Sequence, residues 1–333
     1  MPDFNIYLAP FQGITTYSYR EVYTQYFKGV NKLFTPFYTG IQKTKGLNKR
    51  ATELGFTSQN GVEVVPQILS KEADEIIRFV EYCEEKGFQE VNWNLGCPYP
   101  RVANKKRGSG ILPYPDMVDE ILDKVMPAVN IRFSIKCRLG YLNENEILNL
   151  VEVYNSHDIA ELTIHARIGK QLYAGDVNID AFSDALSVSK VPVVYNGDIF
   201  TSDDLKKYSF RFPQLKSWMI GRGLLVDPFL PAKICGQDIP DSAEQKEIAY
   251  LFMMNLYLAY RKKTNDRLQS ISVMKELWSF LCYSFSSPGK VFSLVKKTKS
   301  FEEYENAVSL IFREYNWLGS EADLFRKGQA KAL

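Results

Sequence analysis

The chain has 333 residues, of which 45% are hydrophobic and 24% charged, with a formal net charge of +2. This composition is typical of a globular protein with a sizeable core, and no run of 18 or more apolar residues predicts a membrane span. Because the net charge is nearly balanced, nucleic acid would have to be bound by local basic patches rather than by an overall field.

The cysteine and histidine content limits the kinds of site. Five cysteines are scattered without a Cys-x-x-Cys pair, and there are two histidines, His157 and His165. This distribution predicts a reducing, cytoplasmic location and argues against a disulfide framework and a metal site. Residues 1–5 lack the basic region and apolar stretch of a signal peptide.

Eight short runs rich in Val, Ile, Phe or Leu predict strands that are buried on both faces. In chain order they are Ile6–Pro10, Lys32–Tyr38, Val62–Leu69, Glu90–Cys97, Phe133–Leu139, Ala160–Ala166, Val191–Asp198 and Ser217–Gly223. Stretches with helical period lie between them, for example Lys71–Lys86 and Asn143–Ser156. Eight strand-then-helix units in residues 1–238 predict an α/β fold of the (β/α)₈ TIM-barrel type. A doubly wound sheet is the alternative, but a Gly-x-Gly-x-x-Gly turn does not follow the first strand.

After residue 240 the pattern becomes helical. Lys246–Thr264, Ser270–Ser284 and Phe301–Glu314 have amphipathic period, and Ser287-Pro288-Gly289 predicts a turn. We therefore predict a small helical domain over 241–320 and a C-terminal tail over 321–333. From residue 241 onward, 14 Lys and Arg stand against 11 Asp and Glu. Such an excess suits either a solvated face or a contact with RNA.

The predicted carboxyl ends of the strands are rich in polar and cationic residues. Active sites of (β/α)₈ barrels form at these ends. The residues there are Pro10, Phe11, Gln12, Gln67, Asn94, Cys97, Lys136, Arg138, His165, Asn196, Gly197, Asp198, Gly221 and Arg222, with Tyr173 just beyond the sixth strand. Each has an ordinary structural explanation, such as a core amide or half of an ion pair. Together, however, they are costly to bury unless a polar ligand binds there.

Cys97 begins the most distinctive segment. A basic loop with Arg101, Lys105, Lys106 and Arg107 follows it and ends in a glycine-containing turn at 108–110. A thiol has an unperturbed pKa of about 8.5, so it is mostly protonated near neutral pH and can donate a proton or attack. A single cysteine is more often a small buried hydrophobe. Beside a basic loop, it favours chemistry on an anionic substrate.

The order and spacing of the motifs resemble those of the flavin-dependent tRNA-dihydrouridine synthases along the whole barrel. The matching motifs are Ala9-Pro10-x-x-Gly13, Pro66-Gln67, Asn94-x-Gly96-Cys97-Pro98, Lys136-x-Arg138, His165-x-Arg167, Asn196-Gly197-Asp198 and Gly221-Arg222-Gly223. The resemblance implies reduction of a tRNA uridine to 5,6-dihydrouridine, with FMN as cofactor and NADPH as reductant, by a monomer that needs no metal. Phe11 stands where members of the family usually have Met.

The resemblance also implies a role for each residue. Hydride passes from FMN N5 to C6 of uracil, Cys97 donates the proton to C5, and Lys136 stabilises charge at the flavin N1/O2 edge. The implied flavin contacts are Pro10, Phe11, Gln12, Gln67 and Lys136, and the implied phosphate contacts are His165, Asn196, Gly197, Asp198, Gly221 and Arg222. Asn94, Arg138 and Tyr173 would face the uracil, and Arg101, Lys105, Lys106 and Arg107 would hold the RNA.

Two other functions are weighed against this one. An FMN barrel of the dihydroorotate dehydrogenase or ene-reductase type would leave the basic loop and the helical region without a role. An RNA-binding module without turnover would not need Cys97, Lys136 and His165 together.

Overall fold

The computed structural model describes residues 4–41 and 51–329, which belong to two compact units. The first unit lies within Met1–Asn31, Asp198–Pro213 and Ile220–Leu333, and the second within Lys32–Gly197 and Gln214–Met219. The end of the predicted tail, 330–333, and the first three residues lie outside the described residues. The predicted domain boundaries at 238 and 241 stay predictions.

The described residues contain ten strands. They are β1 Asn5–Leu8, β2 Lys32–Phe34, β3 Ser58–Gln59, β4 Val62–Val65, β5 Gln67–Ile68, β6 Glu90–Leu95, β7 Arg132–Gly140, β8 Glu161–Ile168, β9 Val193–Asn196 and β10 Ser217–Ile220. All eight predicted strand regions therefore contain strand. The observed strands mostly end earlier, because the last residues of several predicted runs belong to the loops that follow.

Parallel pairing runs through the second unit. β2 pairs with β4, β5 with β6, and each strand from β6 to β9 with the next one along the chain. Pro66 separates β4 from β5 because proline has no N–H for the ladder, so 62–68 acts as one interrupted strand. Helices follow the strands, which makes this unit α/β.

One strand was not predicted. β3 pairs antiparallel with β4 across Asn60 and Gly61, whose φ angles are 48° and 83°. Two residues with positive φ form the tight turn that Asn-Gly favours in hairpins. The signal was present in the sequence and was missed.

The described residues of the second unit contain five helices. They are Ala73–Glu85, Pro100–Ala103, Pro115–Val125, Glu146–Asn155 and Ile179–Val188, with 3₁₀ turns at Ala51–Leu54, Gly108–Ile111, Met126–Ala128 and Gly169–Gln171. The two helices exemplified from the sequence are confirmed with shorter ends. Helix Ala73–Glu85 buries Ile76, Phe79 and Val80 at a spacing of three to four residues, as an amphipathic helix must.

The amino ends of five strands in this unit carry charges of both signs. Lys32 Nζ lies 2.8 Å from Glu90 Oε2 and 3.3 Å from Glu161 Oε2. Arg132 contacts Glu90 and lies 3.3 Å from Glu63. Glu90 is almost fully buried, so these cations offset the cost of desolvating its carboxylate.

The first unit contains β1 and a series of helices. These helices are Tyr17–Tyr26, Ser202–Arg211, Arg222–Val226, Leu230–Ile234, Ser242–Lys263, Gln269–Leu281, Pro288–Lys296, Phe301–Glu314 and Leu324–Gln329, with 3₁₀ turns at Cys282–Ser284 and Ser320–Ala322. The N–H of Ala9, just after β1, donates to the carbonyl of Ile220 at the end of β10 (2.9 Å).

The predicted turn at Ser287-Pro288-Gly289 is wrong. Pro288 begins a helix that continues to Lys296. Proline is well tolerated in a first helical turn, where its missing N–H would have no intrahelical partner. The predicted helix Phe301–Glu314 has the observed bounds, with Ser300 accepting the N–H of Glu303 as its cap.

Within residues 4–41 and 51–329, no helix has the length and apolar character needed to cross a membrane. The five cysteines are free thiols.

Candidate active site

Cys97 lies two residues beyond β6 in a tightly held turn. Oδ1 of Asn94 accepts the N–H groups of Gly96 and Cys97, both at 3.0 Å. The Cys97 carbonyl accepts the N–H and the hydroxyl of Ser109, at 3.0 and 3.1 Å. Gly108 has a φ of +55°, and a Cβ there would lie 2.6 Å from that carbonyl oxygen, so a side chain does not fit. The thiol is therefore fixed at the carboxyl end of β6.

The environment of Cys97 keeps its thiol protonated. Burial raises the pKa of Cys97 above its ordinary value, and Cys97 is only 8% exposed. A backbone hydrogen bond from Tyr99 and the charges of Arg138, Arg101 and Lys136 act in the opposite direction without reversing the shift. A protonated thiol is what a proton donor requires at neutral pH.

Gln67 lies in the same hydrogen-bonded group. It is fully buried, and its Oε1 accepts from Asn94 Nδ2 at 2.7 Å. Its Nε2 donates to Asn92 Oδ1 at 2.8 Å. Both bonds are between side chains on paired strands, so the amides of Gln67 and Asn94 hold each other in place.

Lys136 lies on β7 and donates from Nζ to Asn196 Oδ1 at 3.0 Å. Asn196 in turn donates from Nδ2 to the carbonyl of Met219 at 2.8 Å. Loss of water around the ammonium group, aided by the nearby Arg138 charge, lowers the pKa of Lys136 to about 8. Lys136 thus remains mostly cationic at pH 7 but titrates close to it.

Arg138 connects the cysteine turn to β8. Its Nε donates to the carbonyl of Gly96 at 3.0 Å, and its Nη1 donates to the carbonyl of Ile168 at 2.9 Å. The guanidinium lies 5.4 Å from the ring centroid of Tyr173, which is partly exposed. The pair combines a buried cation with an accessible aromatic ring.

His165 is buried and lies beside Arg167, the other residue of the His165-x-Arg167 motif. Nη1 of Arg167 is 3.3 Å from His165 Nε2. Because a guanidinium only donates, Nε2 accepts, and the ring proton of a neutral His165 is on Nδ1. Gly197 has a φ of +146°, and a Cβ there would lie 2.9 Å from Val177 Cγ1 and 3.6 Å from the His165 ring. Gly197 therefore has no room for a side chain, because Val177 and the imidazole pack close to its backbone.

The basic loop after Cys97 is partly helical. Arg101 lies in the short helix Pro100–Ala103 and is exposed, as is Lys105. Lys106 Nζ lies 3.9 Å from the Tyr114 ring centroid, which directs this cation along the protein surface. Arg107 is half-buried.

The remaining candidates lie in the first unit, and four of them form two pairs. A Cβ at Gly221 would lie 3.1 Å from the Phe11 ring, so Gly221 allows the ring to approach. Asp198 Oδ1 accepts from Arg222 Nη2 at 2.8 Å, and Asp198 has a φ of 39°. Pro10 is half-buried and Gln12 is exposed. The Asp198–Arg222 ion pair leaves Arg222 with a local counter-charge, which the sequence did not reveal.

Sequence reasoning missed Asn92 and Ser134 as part of the site. Asn92 lies between Glu90 and Asn94 at alternate positions of β6, and alternate residues point to one face of a strand. This polar alternation in a fully buried strand was the available signal.

Parallel strands followed by helices, with a thiol and cations at the strand ends, define an enzyme of the α/β barrel class. A family model described as dihydrouridine synthase (Dus) matches residues 7–313. The tRNA-dihydrouridine synthase B of Pasteurella multocida is 31% identical over 226 residues, covering 68% of this chain and 67% of that protein. The tRNA-dihydrouridine(16) synthase of Cupriavidus necator is 23% identical over 312 residues, covering 91% of this chain and 96% of that protein. The chain belongs to the dihydrouridine synthase family, as its motifs predicted.

Solved structures share the fold. The old yellow enzyme homologue from Zymomonas mobilis aligns with a TM-score of 0.54 at 10% identity, over 72% of this chain and 90% of that chain. A mutant of morphinone reductase aligns with a TM-score of 0.52 at 8% identity, over 72% of this chain and 88% of that chain. At such low identity the likeness concerns the fold, and the predicted (β/α)₈ class is confirmed.

Proposed function

We propose that this protein reduces a uridine of tRNA to 5,6-dihydrouridine in the cytoplasm, as a monomer with bound FMN and with NADPH as reductant. Family membership and the names of the two relatives support the reaction. The observation that carries the proposal is the Cys97 thiol, held protonated at a strand end with the cations Lys136 and Arg138 close enough to affect its pKa.

The residues of the second unit suit an anionic, nitrogen-rich cofactor such as FMN. Its predicted side-chain contacts to the cofactor offer an ammonium, amides and an imidazole, without a carboxylate among them: Gln67, Lys136, His165 and Asn196. Amide and ammonium donors match the carbonyl oxygens and ring nitrogens of an isoalloxazine. For the first unit, the family resemblance implies FMN contacts at Pro10, Phe11, Gln12, Asp198, Gly221 and Arg222, and these stay predictions.

Bound FMN would supply the hydride that adds to C6 of the uracil. Cys97 donates its proton to C5, so that one hydride and one proton saturate the C5–C6 bond and leave a thiolate that must be reprotonated. Lys136, cationic below pH 8, stabilises negative charge at the cofactor edge. Arg138 and Tyr173 present a cation and an aromatic ring to the base, and Asn94 holds the turn that carries the thiol.

The target base must leave its stack to reach a site at the strand ends. Arg101, Lys105, Lys106 and Arg107 are proposed to hold the RNA backbone, together with the helical domain predicted over 241–320. Binding through phosphates makes the affinity for tRNA fall with rising salt.

The test is site-by-site mass spectrometry of dihydrouridine in tRNA from a strain lacking the gene. We expect dihydrouridine to disappear from at least one position and to return with the wild-type gene. The purified protein should carry a flavin absorbance that is released as FMN. Unchanged dihydrouridine at every position, with turnover of a small unsaturated substrate, would instead favour the ene-reductase alternative.

Cys97→Ala tests the proton donor. We expect flavin content and NADPH oxidation to be kept and dihydrouridine formation on tRNA to fall about 10³-fold, within the usual range for loss of a general acid. Cys83→Ala is the matched control, because Cys83 is a fully buried cysteine in helix Ala73–Glu85. Full activity of Cys97→Ala would remove the proposed acid role.

A further inference from the structure

A chain of hydrogen bonds runs along the interior of the second unit, from the amino ends of its strands to Cys97. Ser134 Oγ lies 2.7 Å from Glu90 Oε1, and Asn92 Nδ2 lies 2.9 Å from Ser134 Oγ. Gln67 Nε2 lies 2.8 Å from Asn92 Oδ1, and Asn94 Nδ2 lies 2.7 Å from Gln67 Oε1. The chain ends where Asn94 Oδ1 accepts the N–H of Cys97. All members are buried.

The two ends of this chain impose one direction on every bond in it. Glu90 also accepts from Lys32 and Arg132, so it is a carboxylate flanked by cations and can only accept from Ser134. The Ser134 hydroxyl must therefore donate to Glu90, and its oxygen accepts from the amide nitrogen of Asn92. Each amide further along then presents oxygen to the donor of the next residue.

The opposite end demands the same direction. The N–H groups of Gly96 and Cys97 can only donate, so Asn94 must turn its oxygen toward them. Its NH₂ group then faces Gln67. Reversing any single amide would bring two donors or two acceptors together inside a buried network, which costs more than the bond is worth.

We propose that Ser134 and Asn92 are positioning residues for Cys97. Their hydrogen bonds, continued by Gln67, connect the Glu90 carboxylate to Asn94, whose oxygen holds the cysteine turn. Neither residue touches the thiol. Their effect on dihydrouridine formation rests on the proposed function, whereas their effect on the cysteine turn does not.

Ser134→Ala breaks the chain next to its Glu90 end. The Asn92 NH₂ group loses its acceptor, and the Asn92, Gln67 and Asn94 amides are then oriented from the cysteine turn alone, without the Glu90 carboxylate as a second anchor. The turn should then open more often and expose the thiol of Cys97. Ser134→Thr keeps the hydroxyl in a strand, where a β-branched residue is well accommodated, and should restore the wild-type behaviour.

The experiment measures iodoacetamide alkylation of Cys97 by peptide mass spectrometry under native conditions. Cys235, which is partly exposed and belongs to the first unit, is the internal reference for general opening. We expect Ser134→Ala to raise the ratio of Cys97 to Cys235 alkylation about fivefold, the equivalent of one lost hydrogen bond. Ser284→Ala is the control. It removes a different fully buried hydroxyl, which donates to the carbonyl of Val226, and it should leave that ratio unchanged.

If Ser134→Ala shows the wild-type ratio of Cys97 to Cys235 alkylation, the proposal is overturned. A lower melting temperature of this variant would then show only that Ser134 contributes to stability. If Ser134→Ala does not fold, Asn92→Leu interrupts the chain at the next link and the same ratio decides. With tRNA, we expect Ser134→Ala to lower kcat about tenfold, with KM within about twofold. An inactive wild type would refute the proposed function, while the alkylation ratio would still test the chain.

Discussion

The two ends of the strands in the second unit hold charge in different ways. At the amino ends, Lys32 and Arg132 lie against the carboxylates of Glu90, Glu161 and Glu63. At the carboxyl ends, hydrogen bonds from Lys136, Arg138 and Arg167 reach an amide, backbone carbonyls and an imidazole.

The charges at the two ends of these strands therefore differ in what they contribute to the protein. Charges that are paired within the chain need no ligand, and breaking one such pair exposes a buried charge. Lys136 donates to the neutral amide of Asn196, so its charge stays available to an anionic ligand, at a cost in stability. The amino ends therefore serve folding, and we infer that the carboxyl ends serve binding and chemistry.

The largest contrast is expected between two lysine-to-methionine variants. Lys32→Met should lower the free energy of unfolding by about 3 kcal/mol, because it breaks a buried ion pair, and leave FMN affinity within about twofold. Lys136→Met should weaken FMN binding at least about tenfold, the range of a hydrogen bond to a charged group, without loss of stability. Urea unfolding and fluorescence titration with FMN measure the two effects.

Equal losses of stability in the two variants would contradict the difference between the strand ends. So would normal FMN affinity in Lys136→Met together with reduced affinity in Lys32→Met.

A smaller effect is expected from pH on the difference in stability between Lys136→Met and wild type. The pKa of Lys136 in the folded protein is about 8, below its ordinary value of 10.5. Between pH 8 and pH 10.5 the unfolded chain binds more protons at Lys136 than the folded chain does. The free-energy cost of burying the ammonium is therefore full below pH 8 and decreases as the pH rises toward 10.5. Lys136→Met should therefore be more stable than wild type at pH 7, with a gap that narrows by about pH 10.

The same titration should affect turnover. As pH rises above about 8, the wild-type ammonium loses its proton and activity should decline, whereas the residual activity of Lys136→Met should lack this decline. Urea unfolding at pH 7 and at about pH 10 measures the difference in stability between Lys136→Met and wild type. If that difference does not change with pH, the ammonium is not destabilising. Comparing variants removes the contribution of the buried cysteines and tyrosines, which titrate in both proteins.

The smallest effect is expected at an exposed cation near the carboxyl ends. Lys105→Gln should weaken tRNA binding by less than about fivefold and reduce the slope of log affinity against log salt by at most about 0.9. Lys124→Gln, in helix Pro115–Val125, is the control and should leave the slope unchanged. Filter binding at several salt concentrations measures both slopes, and equal slopes for Lys105→Gln and wild type would exclude a phosphate contact.

Much of the fold was predictable because its signals are local. The run Glu90–Cys97 is short, carries the apolar residues Val91, Trp93 and Leu95 at alternate positions and is followed by a proline, and the helix Phe301–Glu314 begins after a serine cap. The hairpin at Asn60-Gly61 was equally local and was overlooked. Pro288 was assigned to a turn because proline suits turns and first helical turns alike, and residues far along the chain decide between them.

The candidate site was predictable only as a set of residues. The sequence placed Gln67, Asn94 and Cys97 at strand ends, but the direction of their hydrogen bonds depends on Glu90 and Ser134, which come from paired strands. Likewise, the pairing of Arg222 with Asp198 follows from the folded loops rather than from the spacing of the motifs.

The sequence by itself determined the periodic elements, the family motifs and the identity of the thiol and cations, since each is written in neighbouring residues. The tertiary structure decided which charges are neutralised, which amide faces which donor, and how far burial shifts the pKa values of Cys97 and Lys136. The physical reason is that desolvation and hydrogen-bond direction depend on atoms brought close by folding, many of them more than twenty residues apart in the chain.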